Sequence, residues 1–142
     1  MNRNEQLTRI MSAQADLMEA LVETLGEAQQ ALVHSDRPRL ERSIRREEDL
    51  LRPFHELERE RSAKAMELAG KEATVQALLP ALTPDDKDAI LEISTRMKSA
   101  SQKILELNKQ NTMLIRNARK FVAETLRIVT DDNRRKLVDE RI

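Results

Sequence analysis

Three stretches of the chain set apolar residues at three- and four-residue intervals, the spacing of one face of an α-helix. The first, residues 4–33, lines up Leu7, Ile10, Met11, Leu17, Met18, Leu21, Leu25, Ala28, Ala31 and Leu32 on a face that no charge interrupts. Gln14 and Thr24 are its polar members. The second, residues 37–69, carries Leu40, Ile44, Leu50, Leu51, Phe54, Leu57, Ala65 and Leu68, with Glu47 and Arg61 on the same face and Pro53 inside it. A proline there withdraws one hydrogen bond, to the carbonyl of Asp49, which predicts a kink and not an end. The third, residues 84–130, is the most regular. Ile90, Ile93, Ser94 and their repeats at every seventh residue, through Thr125, Ile128 and Val129, make eighteen positions without a charge. The other 22 positions of residues 90–129 hold eleven charges.

Turn and cap residues mark the boundaries. His34-Ser35-Asp36-Arg37-Pro38 ends the first helix, with Ser35 or Asp36 able to cap the second and Pro38 tolerated in its first turn. Gly70 closes the second helix, and Thr74 to Thr83 encloses a short helix near 75–82. Thr83-Pro84-Asp85-Asp86 then combines an N-cap, a proline at the first helical position and early acidic residues. The fold class expected is all-α: an antiparallel bundle of three long helices in a single domain over residues 1–130, the third returning alongside the second. Residues 131–142 form a charged tail around Leu137, Val138 and Ile142, for which continuation of the helix and mobility both stay open.

Two candidate features follow from laying the helices side by side. Short connections favour antiparallel neighbours, and the resulting register sets Thr24, Glu47 and Asn111 in one layer. We therefore expect a buried polar layer in which Glu47 accepts from Asn111, with Asn108 and Thr24 nearby; such layers hold register at some cost in stability. A half-exposed Glu47 on a bowed second helix is the alternative. The same register leaves the third helix longer than its neighbours from Phe121 onward. Phe121, Val122, Leu126, Ile128 and Val129 would then lack partners within the chain, and an uncovered apolar stripe marks a binding surface.

Composition narrows the functional classes. Two glycines cannot build a phosphate-cradling loop, and the absence of cysteine removes thiol chemistry and zinc fingers while fitting a reducing compartment. With no long apolar run and no leader pattern, neither a membrane span nor a signal peptide is expected, and the address is the cytoplasm. Lys and Arg number 25, as do Asp and Glu, which argues against a dedicated nucleic-acid binder. The basic group Arg116, Arg119, Lys120 and Arg127 suits the later part of a helix. His34 and His55 stand alone, Asp85, Asp86 and Asp88 lack the glycine and distal glutamate of a calcium loop, and Ser99 with Lys103 has no oxyanion-hole setting. No catalytic residue, metal or cofactor is expected.

The run Asn108-Lys109-Gln110-Asn111-Thr112-Met113-Leu114-Ile115 resembles the N-x-x-N-x-x-L-I segment in the last helix of the FlgN family of flagellar secretion chaperones. Ala31-Leu32, Asp36 before Leu40, and Arg46-Glu47-x-x-Leu50-Leu51 are similar to the family's second-helix region, although Arg46 stands where lysine is usual and Pro53 departs from the pattern. The resemblance spans about residues 7–130. It implies a cytoplasmic, non-enzymatic chaperone whose C-terminal region holds the C-terminal helical segment of the hook-filament junction proteins FlgK and FlgL and presents the complex to the type III export gate. The alternative from the residues alone is a structural module that forms a coiled-coil dimer through the end of the third helix; even as a chaperone, the free chain has a face on which a second copy could pair.

Overall fold

The computed structural model describes residues 2–70 and 74–141, with side chains through residue 136. Among the described residues four α-helices appear in order: α1 (Arg3–Val33), α2 (Arg37–Ala69), α3 (Val75–Leu78) and α4 (Pro84–Arg141), with a turn of 3-10 helix at Leu79–Ala81 between the last two. No strand occurs among the described residues. The boundaries are chemically explicit. Asp36 caps α2 by accepting from the Arg39 amide at 3.2 Å, and Gly70 ends it with a left-handed φ of 72°, a conformation that costs a residue without Cβ little. Thr83 accepts from the Asp86 amide at 3.3 Å and donates its hydroxyl to the Asp86 carboxylate at 2.7 Å. The short segment predicted over 75–82 divides into α3 and the 3-10 turn.

α2 runs through Pro53 without interruption, as expected for a proline that removes one bond from a helix held by tertiary packing. α4 does not stop at 130 but continues as helix to Arg141. No glycine or proline follows Pro84, and mixed charges at helical spacing do not terminate a helix. At 1.5 Å per residue its 58 residues reach about 87 Å. The side chains of Leu137, Val138 and Ile142, the apolar members of the expected tail, lie outside the described residues.

The packing order departs from a bundle in which each helix lies against the next. α1 is the shared member: α2 packs antiparallel along one side of it and α4 along another, while α2 and α4 approach each other only marginally. Arg3 with Glu67, Gln14 with Glu58 and Glu27 with Arg39 run in opposite senses along α1 and α2. Arg96 with Asp16 and Glu19, then Gln110 with Gln29, run in the same sense, so α4 lies parallel to α1. The expectation that the third long helix packs chiefly on the second is corrected by the faces themselves. α1 buries nine residues, among them the small Ala15, Ala28 and Ala31 that let two helices close on it, whereas α2 buries only Ser43, Leu50 and Ala65.

The densest core sits at one end. Leu7, Met11 and Ala15 of α1, Ala65 of α2, Leu78 and Leu82 of the connection, and Ile90 and Ile93 of α4 form one buried cluster. Leu7, Leu78 and Ile90 are the largest of the fully buried aliphatic side chains, each stabilising by about 1.5–3 kcal/mol through burial. α3 and the 3-10 turn therefore act as the plug that closes this end.

Candidate partner-binding site

The opposite end is open. On α4, Asn111 is buried and Leu114 half-buried; every residue from Ile115 to Lys136 is exposed. α4 thus leaves its neighbours six residues earlier than the sequence register suggested. The reason is its offset on α1: Asn111 Nδ2 donates to the carbonyl of Leu25 at 3.2 Å, and Gln29 Nε2 donates to Gln110 Oε1 at 2.7 Å. Those contacts set the end of α1, at Val33, beside the turn of α4 that follows Leu114. Beyond it, about 40 Å of helix projects unaccompanied.

All five stripe residues named from the sequence lie on this projection. Phe121 is 70% exposed and Leu126 62%, and Val122, Ile128 and Val129 are each at least half exposed. Ile115 and Met113, not among the five candidates, are also exposed on α4. Large apolar side chains this accessible on one helix face are unfavourable in water unless something covers them. The stripe's cations, Arg116, Arg119, Lys120 and Arg127, are exposed too, and among the described residues none of them forms an ion pair.

The buried polar layer is built differently from the one expected. Thr24 and Asn111 are buried, but Thr24 donates its hydroxyl to the carbonyl of Ala20, and Asn111 turns to the α1 backbone. Among the described residues no hydrogen bond joins Glu47 to Asn111. Asn108 is exposed and belongs to no buried layer, because α4 presents its other side to α1. Glu47 is half-buried, and its carboxyl is pushed above the ordinary glutamate value by burial and by the neighbouring Glu48 charge. The polar cluster the sequence reading missed lies nearer the core. Fully buried Gln14 donates through Nε2 to Glu58 at 2.8 Å, and Glu58 also accepts from Arg61 Nε at 2.9 Å. The Arg61 guanidinium holds Glu58 below the usual carboxylate range against the opposing effect of burial. Gln14 and Arg61 were both visible as polar residues on apolar faces; pairing them needed only the antiparallel register of the α1–α2 hairpin.

A second apolar feature was not anticipated. Where α2 and α4 diverge, a cleft of about 190 Å³ opens over α1. Leu17, Met18 and Leu21 form its floor, Leu50, Leu51 and Phe54 one wall, and Ser101, Ile104 and Leu105 the other. Leu105, at 68% exposure, stands one residue off the periodic face, which is the signal that could have drawn attention to it. On the other side of α1 the join to α4 is polar: Arg96 bridges Asp16 at 2.7 Å and also Glu19, and this double pairing holds its guanidinium even more firmly protonated than usual.

Among the described residues no group of three His, Cys, Asp or Glu is placed to hold a metal ion, and no helix is long and apolar enough to cross a membrane. The profile of the family described as FlgN protein matches residues 1–137 of the chain. No curated protein and no solved structure matches it.

Proposed function

The chain belongs to the FlgN family, whose members are flagellar export chaperones, and from that membership we propose that it binds the C-terminal helical segment of the hook-filament junction proteins FlgK and FlgL in the cytoplasm before their type III export. The observation that carries this reading is the projecting half of α4. It offers a preformed helix with Phe121, Val122, Leu126, Ile128 and Val129 uncovered, the surface onto which an amphipathic partner helix lays its own apolar side. Covering that stripe removes from water a surface prone to self-association, which is the task of a chaperone toward an unassembled subunit. Nothing in this role requires catalysis or a cofactor. The client complex, not the free chain, is the form presented to the export gate.

The test is co-expression with FlgK or FlgL. Leu126→Asp introduces a charge into the middle of the stripe at a position that buries nothing within the chain, so helical content should stay unchanged while the client no longer co-purifies. Undiminished co-purification would remove the site. The same stripe also favours a second reading, in which two copies pair through it as a structural dimer. An obligate dimer at nanomolar concentration would favour that reading, whereas dimers seen only at high concentration are the expected behaviour of a free chaperone with its client face open.

A further inference from the structure

The cleft between α2 and α4 lies on the same side of α4 as part of the projecting stripe. Ile104 and Leu105 line its α4 wall, and Ile115, Val122, Leu126 and Val129 extend the same side of the helix at turn and heptad spacings. From Ser101 to Val129 this side of α4 runs for roughly 40 Å, a track that is apolar at its two ends and polar between them at the exposed Asn108 and Thr112, bordered by α2 in its first part and free thereafter.

The edges of the track differ in charge. Along α4 the edge away from α1 carries Lys98, Lys109, Arg116 and Arg119, spaced from Leu105 by multiples of a helical turn, and no acidic residue. The opposite edge of α4 is the one that Arg96 and Gln110 join to α1. Across the cleft, Glu47 and Glu48 stand one turn before Leu51 on α2. The cations of α2 on its far side, Arg39, Arg42 and Arg46, face a separate depression shared with Thr24 and Glu27. Among the described residues neither Glu47 nor Glu48 is ion-paired, and none of the four α4 cations is. Elsewhere the bundle pairs its charges across helices, as Arg39 with Glu27 and Arg96 with Asp16 show.

We infer that this track seats one amphipathic helix of the client along its whole length, as the missing fourth helix of the bundle, with acidic residues on the edge facing α4 and basic residues on the edge facing α2. The inference rests on the client-binding reading of the α4 projection and extends it into the body of the bundle. The cleft is too small for a whole helix, so the occupant lies over it and inserts apolar side chains between Leu51 and Leu105. Turning a helix end for end exchanges its two edges, so the acidic α2 rim and basic α4 rim accept a charge-divided helix in one direction only. A second copy's projection fits less well: with Arg116, Arg119, Lys120 and Arg127 against Glu124, it would bring like charge to the α4 rim.

The absence of cysteine makes the test direct, since Leu105→Cys supplies a single thiol for an environment-sensitive dye. On adding FlgK with its C-terminus intact, the emission should shift to the blue, and the shift should fall when Lys98→Glu and Lys109→Glu are combined. Leu105→Asp should weaken the complex by about tenfold or more, the range of a central interface side chain, with the far-UV spectrum unchanged. A dye that does not respond, with Leu105→Asp binding normally while Leu126→Asp loses the client, overturns the cleft and leaves the projection as the site. Normal binding by both variants overturns both. A blue shift that follows the concentration of the chain alone assigns the cleft to a second copy and also overturns the inference.

Discussion

Ending the chain at Arg119 separates what α4 does for the fold from what it does for a client. The truncation removes Lys120 onward, including Phe121, Val122, Leu126, Ile128 and Val129, and every residue removed whose side chain is described is exposed. No core contact is lost: the last buried residue of α4 is Asn111, and Leu114 is the last half-buried one. Loss of these exposed residues should change unfolding free energy by no more than about 0.5 kcal/mol, which moves Tm by about 2 °C in a domain of this size. The client side is different. A fully buried side chain of this type contributes about 1.5–3 kcal/mol. Five side chains with half or more of their surface accessible, discounted to about a third for the costs of association, leave about 2 kcal/mol, or a weakening of roughly thirtyfold. Thermal unfolding followed at 222 nm, with titration calorimetry against the client, reads both quantities on one sample. A Tm lowered by more than about 6 °C would mean that the projection is packed on something in solution. An unchanged affinity would mean that the stripe is not what the client covers.

Two carboxylates should respond to pH with opposite sign. Glu47 is raised in the folded state, so its ionised form destabilises above that raised value; Glu47→Gln should be more stable than the parent at neutral pH, and the advantage should vanish as pH falls below the ordinary glutamate value. Glu58 is lowered, so its contribution is present above the ordinary value and lost as pH falls through the lowered one; Glu58→Gln should be the less stable protein at neutral pH, with the gap closing in acid. Urea unfolding at neutral and acid pH checks both. Gly26→Ala should stabilise by about 0.5–1 kcal/mol, because Gly26 is helical and a Cβ there meets nothing within 4 Å. Asn117→Pro, at the root of the projection, should lower client affinity without touching any stripe residue, while Tm stays within about 3 °C of the parent.

Helix boundaries were legible because single residues decide them: Asp36, Gly70 and Thr83 act where the sequence suggested, through contacts made within a few residues. The uncharged stripe of α4 was legible for the same reason, since periodicity is local. Which face meets which partner is not local. The α1–α2 register followed from the short connection, but α4 arrives after a longer one, and both α1 and α2 offered apolar faces to receive it. α1 won because Ala15, Ala28 and Ala31 admit close approach while Glu47 and Arg61 spoil the α2 face. That choice moved Asn111 onto the Leu25 carbonyl, turned Asn108 to solvent and left Glu47 at the lip of a cleft. The cleft itself depends on how far α2 and α4 diverge, which no residue spacing encodes.

α4 is two structures in one helix. Its first half is ordinary core, with Ile90, Ile93 and Ala100 buried against α1. From Ile115 onward no described side chain is buried, and this part would be a marginal helix in isolation, because nucleating a turn is costly and the stripe has no packing to compensate. Here the core half supplies the nucleus, and the projection extends it residue by residue with no glycine or proline to interrupt. A client therefore meets a surface already ordered, and the entropy of forming a helix falls on the client alone. The client-binding reading also gives a chain with equal numbers of opposite charges a means of being selective. The bundle pairs charges between α1 and its neighbours, while among the described residues the cations along the outer edge of α4 and the carboxylates of Glu47 and Glu48 form no ion pair beside the track. On the inference drawn above, apolar area provides the attraction, and those leftover charges set which helix is accepted and in which direction.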